Sequence, residues 1–313
     1  MTPFKLPLRI GTRRSPLARA QAEIVSGLLR TKHEILRQNG ALELVFIQTT
    51  GDRVQDRPLS AIGGKGLFTK EIDLALEDGR VDIAVHSMKD VPAILPDGLI
   101  ISCFLAREDP RDALISANGT TFESLPAGSL IGTSSLRRRA QILSLRPDLR
   151  IKGLRGNVDT RLKKLGDGVV DATLLAFAGL RRLGQQDIVT EVMSTEQILP
   201  AVAQGVIGLQ SRQSDEQISK ALIPLNDSHT EIVVRAERAF LKYLNGSCET
   251  PIAAFGTWLD DSNIVLTGLL ASPNGTEVVS DKIEGSFKDA DKLGSELAAR
   301  LFVSSVGGSL TQR

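Results

Sequence analysis

The sequence predicts an α/β protein in which two domains, each a parallel sheet with helices on both faces, face each other across a cleft and a small α+β domain follows. Three observations lead there. Continuous apolar strands alternate with amphipathic helices over the first two-thirds of the chain, the pattern of sheets covered on both sides. A weak internal repeat divides that region in two. From about residue 228 the pattern changes to one helix, three strand-like runs and a last helix. At 313 residues the chain also exceeds what one ordinary core accommodates.

In chain order, MTPFKLPLRIGT enters a strand almost at once, and Ser15-Pro16 supplies an N-cap with proline at the first helical position. Ile10-Gly11-Thr12-Arg13-Arg14-Ser15 then finds its echo in Ile131-Gly132-Thr133-Ser134-Ser135, each leading into a helix. A second echo joins Asp78-Gly79-Arg80-Val81-Asp82-Ile83-Ala84-Val85 to Asp167-Gly168-Val169-Val170-Asp171-Ala172-Thr173-Leu174, a helix end, a glycine stop and a buried strand. The first half carries roughly 32 more residues between these landmarks, including the glycine-rich IGGKGLF loop at 62–68. The tail reads as a helix over 231–244, strands over 252–259, 264–271 and 277–285, and a helix near 289–302.

Composition narrows the function. Hydrophobic residues make up 42% and charged residues 24%, as in ordinary globular proteins, and no apolar run approaches the ~20 residues of a membrane span. No secretory signal opens the chain, which places it in the cytoplasm. Cys103 lies in the apolar run IISCFLA and reads as a buried, inert thiol. His33, His86 and His229 are far apart, no close cysteine pair exists, and no metal site is expected.

The net charge is +1, yet arginines cluster at three helix starts: Arg13 and Arg14; Arg137, Arg138 and Arg139; and Arg155 and Arg161 within LRGNVDTR. Cations there oppose the helix dipole, so helix formation does not ask for them, whereas free amide groups beside them attract anions. Solvated surface charge is the competing reading. Aromatics amount to only 4% and none interleaves with the arginines, so a ligand with several carboxylates fits better than nucleic acid. Lys89-Asp90 stands where the strand through Val85 reaches its carboxyl end, a position favoured by catalytic groups, although such a pair is more often an exposed turn. His86 reads as structural. Cys248 sits in a loop between Gly246 and Pro251, a candidate nucleophile with no histidine nearby in sequence.

The strings GTRRSPLARAQA, TTGD, IGGKGLFTKEID, VDIAVHSMKDVP, REDPRDALIS, PAGSLIGTSSLRRRAQ, LRGNVDTRL, LPAVAQGVIGL and AERAFLKYLNGSC, in this order, resemble the hydroxymethylbilane synthase (porphobilinogen deaminase) family from about residue 8 into the tail. The resemblance implies two periplasmic-binding-protein-like (type II) domains, residues 1–106 with 201–224 and residues 107–200, and a C-terminal α+β domain over 225–313. It implies a transferase that condenses four porphobilinogens head to tail into hydroxymethylbilane on a dipyrromethane joined by a thioether to Cys248. Asp90 would be the catalytic acid. Lys89, Asp90, Thr133, Ser134, Ser135, Arg137, Arg138, Arg155 and Gly156 would hold the cofactor, and Arg13, Ser15, Lys65, Arg155, Arg161 and Gln204 the substrate. A monomer that hands its product to uroporphyrinogen-III synthase, and binds neither nucleic acid nor membrane, completes the expectation. Ala61, Arg14, Arg19 and Ser247 depart from common family patterns, and none removes a residue that the chemistry needs. Two other readings remain: a two-domain module that binds a small polycarboxylate without reacting with it, and a polyanion-binding regulator, which the near-zero charge disfavours.

Overall fold

A computed structural model describes residues 5–53, 66–246 and 251–304. The described residues up to Arg107, with Val206–Glu231, form one compact unit, and Glu108–Gly205 with the described residues from Ile232 form a second.

The sheet of the first unit runs β2 (Leu42–Ile47), β1 (Leu8–Arg13), β3 (Ile83–Ser87), β10 (Ile207–Arg212), β4 (Leu99–Phe104). Leu8, Ile10, Ile83 and Leu209 pack on one face against Val25 and Leu29 of the helix Pro16–Lys32 and Ile218 of the helix Glu216–Leu222. Ala84, Ile47 and Leu99 pack on the other against Ile72, Ala75 and Leu76 of the helix Lys70–Glu77. Burial on both faces explains why these strands read as continuous apolar runs. Ser15 caps the first helix by accepting from Ala18 N at 3.3 Å, and buried Ala18, Ala22, Val25 and Leu29 recur at helical spacing.

The larger sheet of the second unit runs β7 (Arg150–Lys152), β6 (Leu130–Gly132), β8 (Ala172–Ala176), β5 (Asp112–Ser116), β9 (Glu191–Val192). The internal repeat becomes a shared register: Ile10 pairs with Ile83 and Gly11 with Ala84 in one sheet, Ile131 with Ala172 and Gly132 with Thr173 in the other, all parallel. Neither sheet is wholly parallel. β10 runs antiparallel to β3 and β4, and β5 antiparallel to β8 and β9. Each sheet is thus mixed rather than parallel, with its fourth strand reversed and helices on both faces.

The second unit also contains the antiparallel meander β11 (Ile252–Trp258), β12 (Asn263–Ala271), β13 (Val278–Ser286), covered by the helices Ser228–Tyr243 and Ala290–Ser304. Ala253, Leu269 and Ala271 pack on Ala140 of the helix Leu136–Leu145. No described helix is long and apolar enough to cross a membrane.

Under the helix Lys70–Glu77 lies a buried polar chain in the first unit. His86 Nε2 donates to Gln210 Oε1 at 2.8 Å, and Gln210 Nε2 donates to Asp73 Oδ1 at 3.0 Å. The amide roles follow from the network, since the carboxylate needs a donor. Burial pushes His86 down to about 4, so the ring is neutral, in keeping with a structural role. Burial pushes the Asp73 carboxyl up against the opposing hydrogen bond of Gln210.

Two outcomes are expected from this packing. A Cβ on Gly294 would stand 2.1 Å from the Ala236 carbonyl oxygen, backbone against backbone where two helices cross, so Gly294→Ala should lower stability by about 2 kcal/mol in urea unfolding. An unchanged midpoint would show that the crossing yields. Between the unfolded value near 6.5 and about 4, the unfolded chain takes up a proton that folded His86 refuses. Its contribution is therefore complete above the unfolded value and is lost as pH falls, by up to about 3 kcal/mol, while Asp73 works in the opposite direction. Unfolding free energies from about pH 7 to about pH 4.5 should fall less steeply in His86→Gln than in the wild type; equal slopes would mean that His86 is charged in the fold.

Candidate active site

β1 and β3 are neighbouring parallel strands, and the chain leaves both carboxyl ends with polar side chains, the usual place for ligands on such sheets. β1 ends at Arg13. β3 ends at Ser87 and passes into the turn Met88–Asp90. This brings Arg13 Nη1 to 3.5 Å from Asp90 Oδ2, an ion-pair distance, with both side chains partly exposed. Arg13 is itself held from behind. Its Nε lies 3.2 and 3.3 Å from the two Asp52 oxygens, and its guanidinium lies over the Phe68 ring at 4.3 Å. Thr49 Oγ1 donates to Asp52 Oδ2 at 2.8 Å. Burial alone would push the Asp52 carboxyl up, but the Arg13 hydrogen bonds and charge, with Thr49, leave it below its ordinary value. Ser15 caps the helix that starts beside this group, and Lys89 occupies the same turn as Asp90.

In the second unit the equivalent strand end leads through Thr133 and Ser134 to Ser135, which caps the helix Leu136–Leu145 by accepting from Arg138 N at 3.4 Å. Ser135 N donates to Thr133 Oγ1 at 3.1 Å. Arg137 and Arg138 lie in the first helical turn, but they are not surface groups: each is 5% exposed, and both turn to Asp112 at the start of β5. Arg137 Nη2 reaches Asp112 Oδ2 at 2.8 Å, and Arg138 reaches it through Nε at 3.1 Å and Nη2 at 2.7 Å. Further donors go to the carbonyls of Leu199 and Leu174. Gln204 Nε2 joins them at 2.8 Å from Asp112 Oδ1 and 2.7 Å from Pro110 O. Burial would push Asp112 up, and the two arginines more than offset it, holding the carboxyl far below its usual range. Burial lowers Arg137 against the charge of Asp112. Two guanidinium groups against one carboxylate leave this cluster one positive charge in excess.

Beside it, Thr133 N donates to Lys152 O at 2.9 Å, which brings the residues after β7 next to the same turn. There Gly156 adopts φ +124°, open to glycine but not to other residues, and Arg161 Nε donates to its carbonyl at 2.9 Å. Lys164 Nζ donates to Arg155 O at 3.1 Å. The structure thus gathers Arg13, Ser15, Lys89 and Asp90 in the first unit, and Thr133, Ser134, Ser135, Arg137, Arg138, Arg155, Gly156, Arg161 and Gln204 in the second. Cys248 and Lys65, with Ala61 and Ser247, lie outside the described residues. Asp52 and Asp112 were not singled out by sequence reasoning, although they stand in TTGD and REDPRDALIS. An acid in each string is the only local hint, since their arginine partners are distant in sequence. Cys103 is buried and its thiol is pushed up to about 12, which makes it inert.

A family model described as porphobilinogen deaminase, dipyromethane cofactor binding domain, matches residues 8–220, and one described as porphobilinogen deaminase, C-terminal domain, matches residues 232–303. The chloroplastic porphobilinogen deaminase of Pisum sativum is 50% identical over 297 residues, covering 94% of this chain and 80% of the relative. The porphobilinogen deaminase of Nitrobacter winogradskyi is 49% identical over 292 residues, covering 93% of this chain and 92% of the relative. Among solved structures, the periplasmic VFT2 domain of Bordetella pertussis BvgS aligns with a TM-score of 0.41 at 11% identity, over 73% of this chain and 92% of that one. Two family models matched in sequence order, and relatives that share half of the residues over more than nine-tenths of its length, place this chain in the porphobilinogen deaminase family.

Proposed function

We propose that the enzyme carries out the family's reaction, the head-to-tail condensation of four porphobilinogens into hydroxymethylbilane, with Asp90 as its catalytic group and the second unit's arginines as the anchor of the dipyrromethane cofactor. The observation that carries this reading is the placing of Asp90 against Arg13 at adjacent strand ends. Deamination leaves a positive charge on the substrate's pyrrole, and a fixed carboxylate stabilises it. Asp90 does so while accepting from the pyrrole N–H, and it takes up the proton released once the new bond forms. Arg13 offers the edge that faces Asp90 to a substrate carboxylate, its other edge being occupied by Asp52. Ser15, Lys65, Arg155 and Arg161 are assigned to the substrate's remaining acid groups, whereas Gln204, buried with its amide held by Pro110 O and Asp112 Oδ1, is assigned to the support of Asp112 and not to the substrate.

The cofactor's acetate and propionate groups suit a donor set with positive charge in excess. Arg137 and Arg138 against Asp112 supply that excess, and Thr133, Ser134 and Ser135 add donors in the same unit, while Gly156 lets the chain pass close against Thr160. Lys89 of the first unit is assigned to the cofactor as well. When bound, the group supplies the nucleophilic pyrrole terminus for the first condensation, and Cys248 is assigned as its attachment. Family membership disfavours the binding module without catalysis. We further assign the chain to the cytoplasm as a monomer that passes its product to uroporphyrinogen-III synthase. We keep the three-domain division into residues 1–106 with 201–224, 107–200 and 225–313 as a proposal; the placing of 201–205 with the second unit, and the hydrogen bonds by which Asn226 Oδ1 accepts from Phe104 N and Asp227 N donates to Phe104 O, favour boundaries nearer 205 and 231.

Intact protein should be heavier than its sequence by a two-pyrrole unit, and Cys248→Ser should lack that mass; active wild type without it would remove the covalent cofactor from the reading. Asp90→Asn keeps size and shape, so it should still carry the extra mass and bind porphobilinogen, yet deaminate about a thousandfold more slowly in a single turnover. A rate within a few-fold of wild type would exclude Asp90 as the catalytic group.

A further inference from the structure

We infer that Glu237 is a positioning residue that sets the arginine pair from behind, by holding the turn at Ala203. The inference rests on the functional reading above, since it takes Arg137 and Arg138 as the cofactor's anchor. Glu237 is fully buried in the helix Ser228–Tyr243, and its two oxygens serve two other segments. Oε2 accepts from Ala203 N at 2.6 Å, and Oε1 accepts from Gly256 N in β11 at 2.8 Å.

Ala203 is in the left-handed region, at φ +57°, a conformation that costs a non-glycine residue roughly 1 kcal/mol or more. Such a turn persists only where its surroundings over-determine it. It also points a backbone N–H into a water-poor interior, where a missing acceptor is costly. A carboxylate supplies the stronger, charge-assisted bond. The next residue is Gln204, whose amide bridges Pro110 O and Asp112 Oδ1, and Asp112 is the carboxylate that both arginines share. A shift of the Ala203 turn therefore moves the Gln204 amide off Asp112, and the carboxylate is released to rotate between its two arginines. One side chain thus ties the helix Ser228–Tyr243 and β11 to the residues assigned to the cofactor's acid groups.

Glu237→Gln keeps the shape but presents an N–H to one of the two backbone N–H groups. The test uses full-length apo chain, made in cells unable to form porphobilinogen, then supplied with porphobilinogen and followed by intact mass. The expected result is a folded variant that gains the two-pyrrole mass at least about tenfold more slowly than wild type. Gln204→Ala should slow the gain likewise, and the double variant should be no slower than the worse single one, because both act through the same link. A role confined to stability would lower the melting temperature of each variant and leave the rate of the folded fraction unchanged. A rate within about twofold of wild type, or single losses that multiply in the double variant, overturns the inference. If Glu237→Gln does not fold, Glu237→Asp, which keeps the charge and shortens the reach, carries the same comparison. Wild-type apo chain that gains no such mass would overturn the functional reading together with this inference, whereas equal gains by wild type and variant overturn only the inference.

Discussion

Asp112 is the constraint around which the larger sheet of the second unit is arranged. A carboxylate taken wholly out of water is strongly destabilising unless charged donors surround it, and four hydrogen bonds from Arg137, Arg138 and Gln204 do so. Those three side chains come from the first turn of one helix and from the turn before β10, and their other donors fasten the carbonyls of Pro110, Leu174 and Leu199. Removing the acid would leave two buried guanidinium groups facing each other. The position of the helix Leu136–Leu145 on its sheet is thus electrostatic at its start and apolar further along, where Ala140 meets the meander.

The same strand ends carry opposite charge balances in the two sheets. In the first unit one guanidinium, Arg13, stands between Asp52 and Asp90; in the second, two guanidinium groups stand against Asp112. Shared architecture therefore presents a carboxylate in one copy and a cationic excess in the other. Burial fits the division too. Asp90 and Arg13 are partly exposed, whereas Arg137 and Arg138 are almost closed off by the carboxylate and carbonyls that they hold.

Much of this was legible locally. The paired Ile-Gly steps that open the two halves lie in matching register, and Ser15 and Ser135 cap the helices that they announce, because strand burial and capping are short-range matters. The reversed strands β5 and β10 were not legible, since an apolar run does not state its direction. The partners of the arginines were also hidden: Asp52 is 39 residues from Arg13, and Asp112 is 25 from Arg137. Cations in the first turn of a helix looked anomalous because the helix dipole disfavours them. The anomaly is answered by an acid from another strand, which no periodicity within the helix encodes.

That the buried positions are arginine rather than lysine follows from the same electrostatics. Burial lowers the pKa of either cation, but an ammonium starts nearer to neutrality and gives up its proton more readily in such a place, which would reduce the excess charge of the cluster. Arginine starts so high that the shift on Arg137 leaves it charged. Its flat fork also lets Arg138 grip Asp112 through Nε and Nη2 while Nη1 holds the Leu174 carbonyl, three directions that a single ammonium could not fix without giving up one of them. Deep burial and a retained positive charge are therefore combined more readily in arginine than in lysine, and the shared carboxylate of Asp112 is gripped from fixed directions as well.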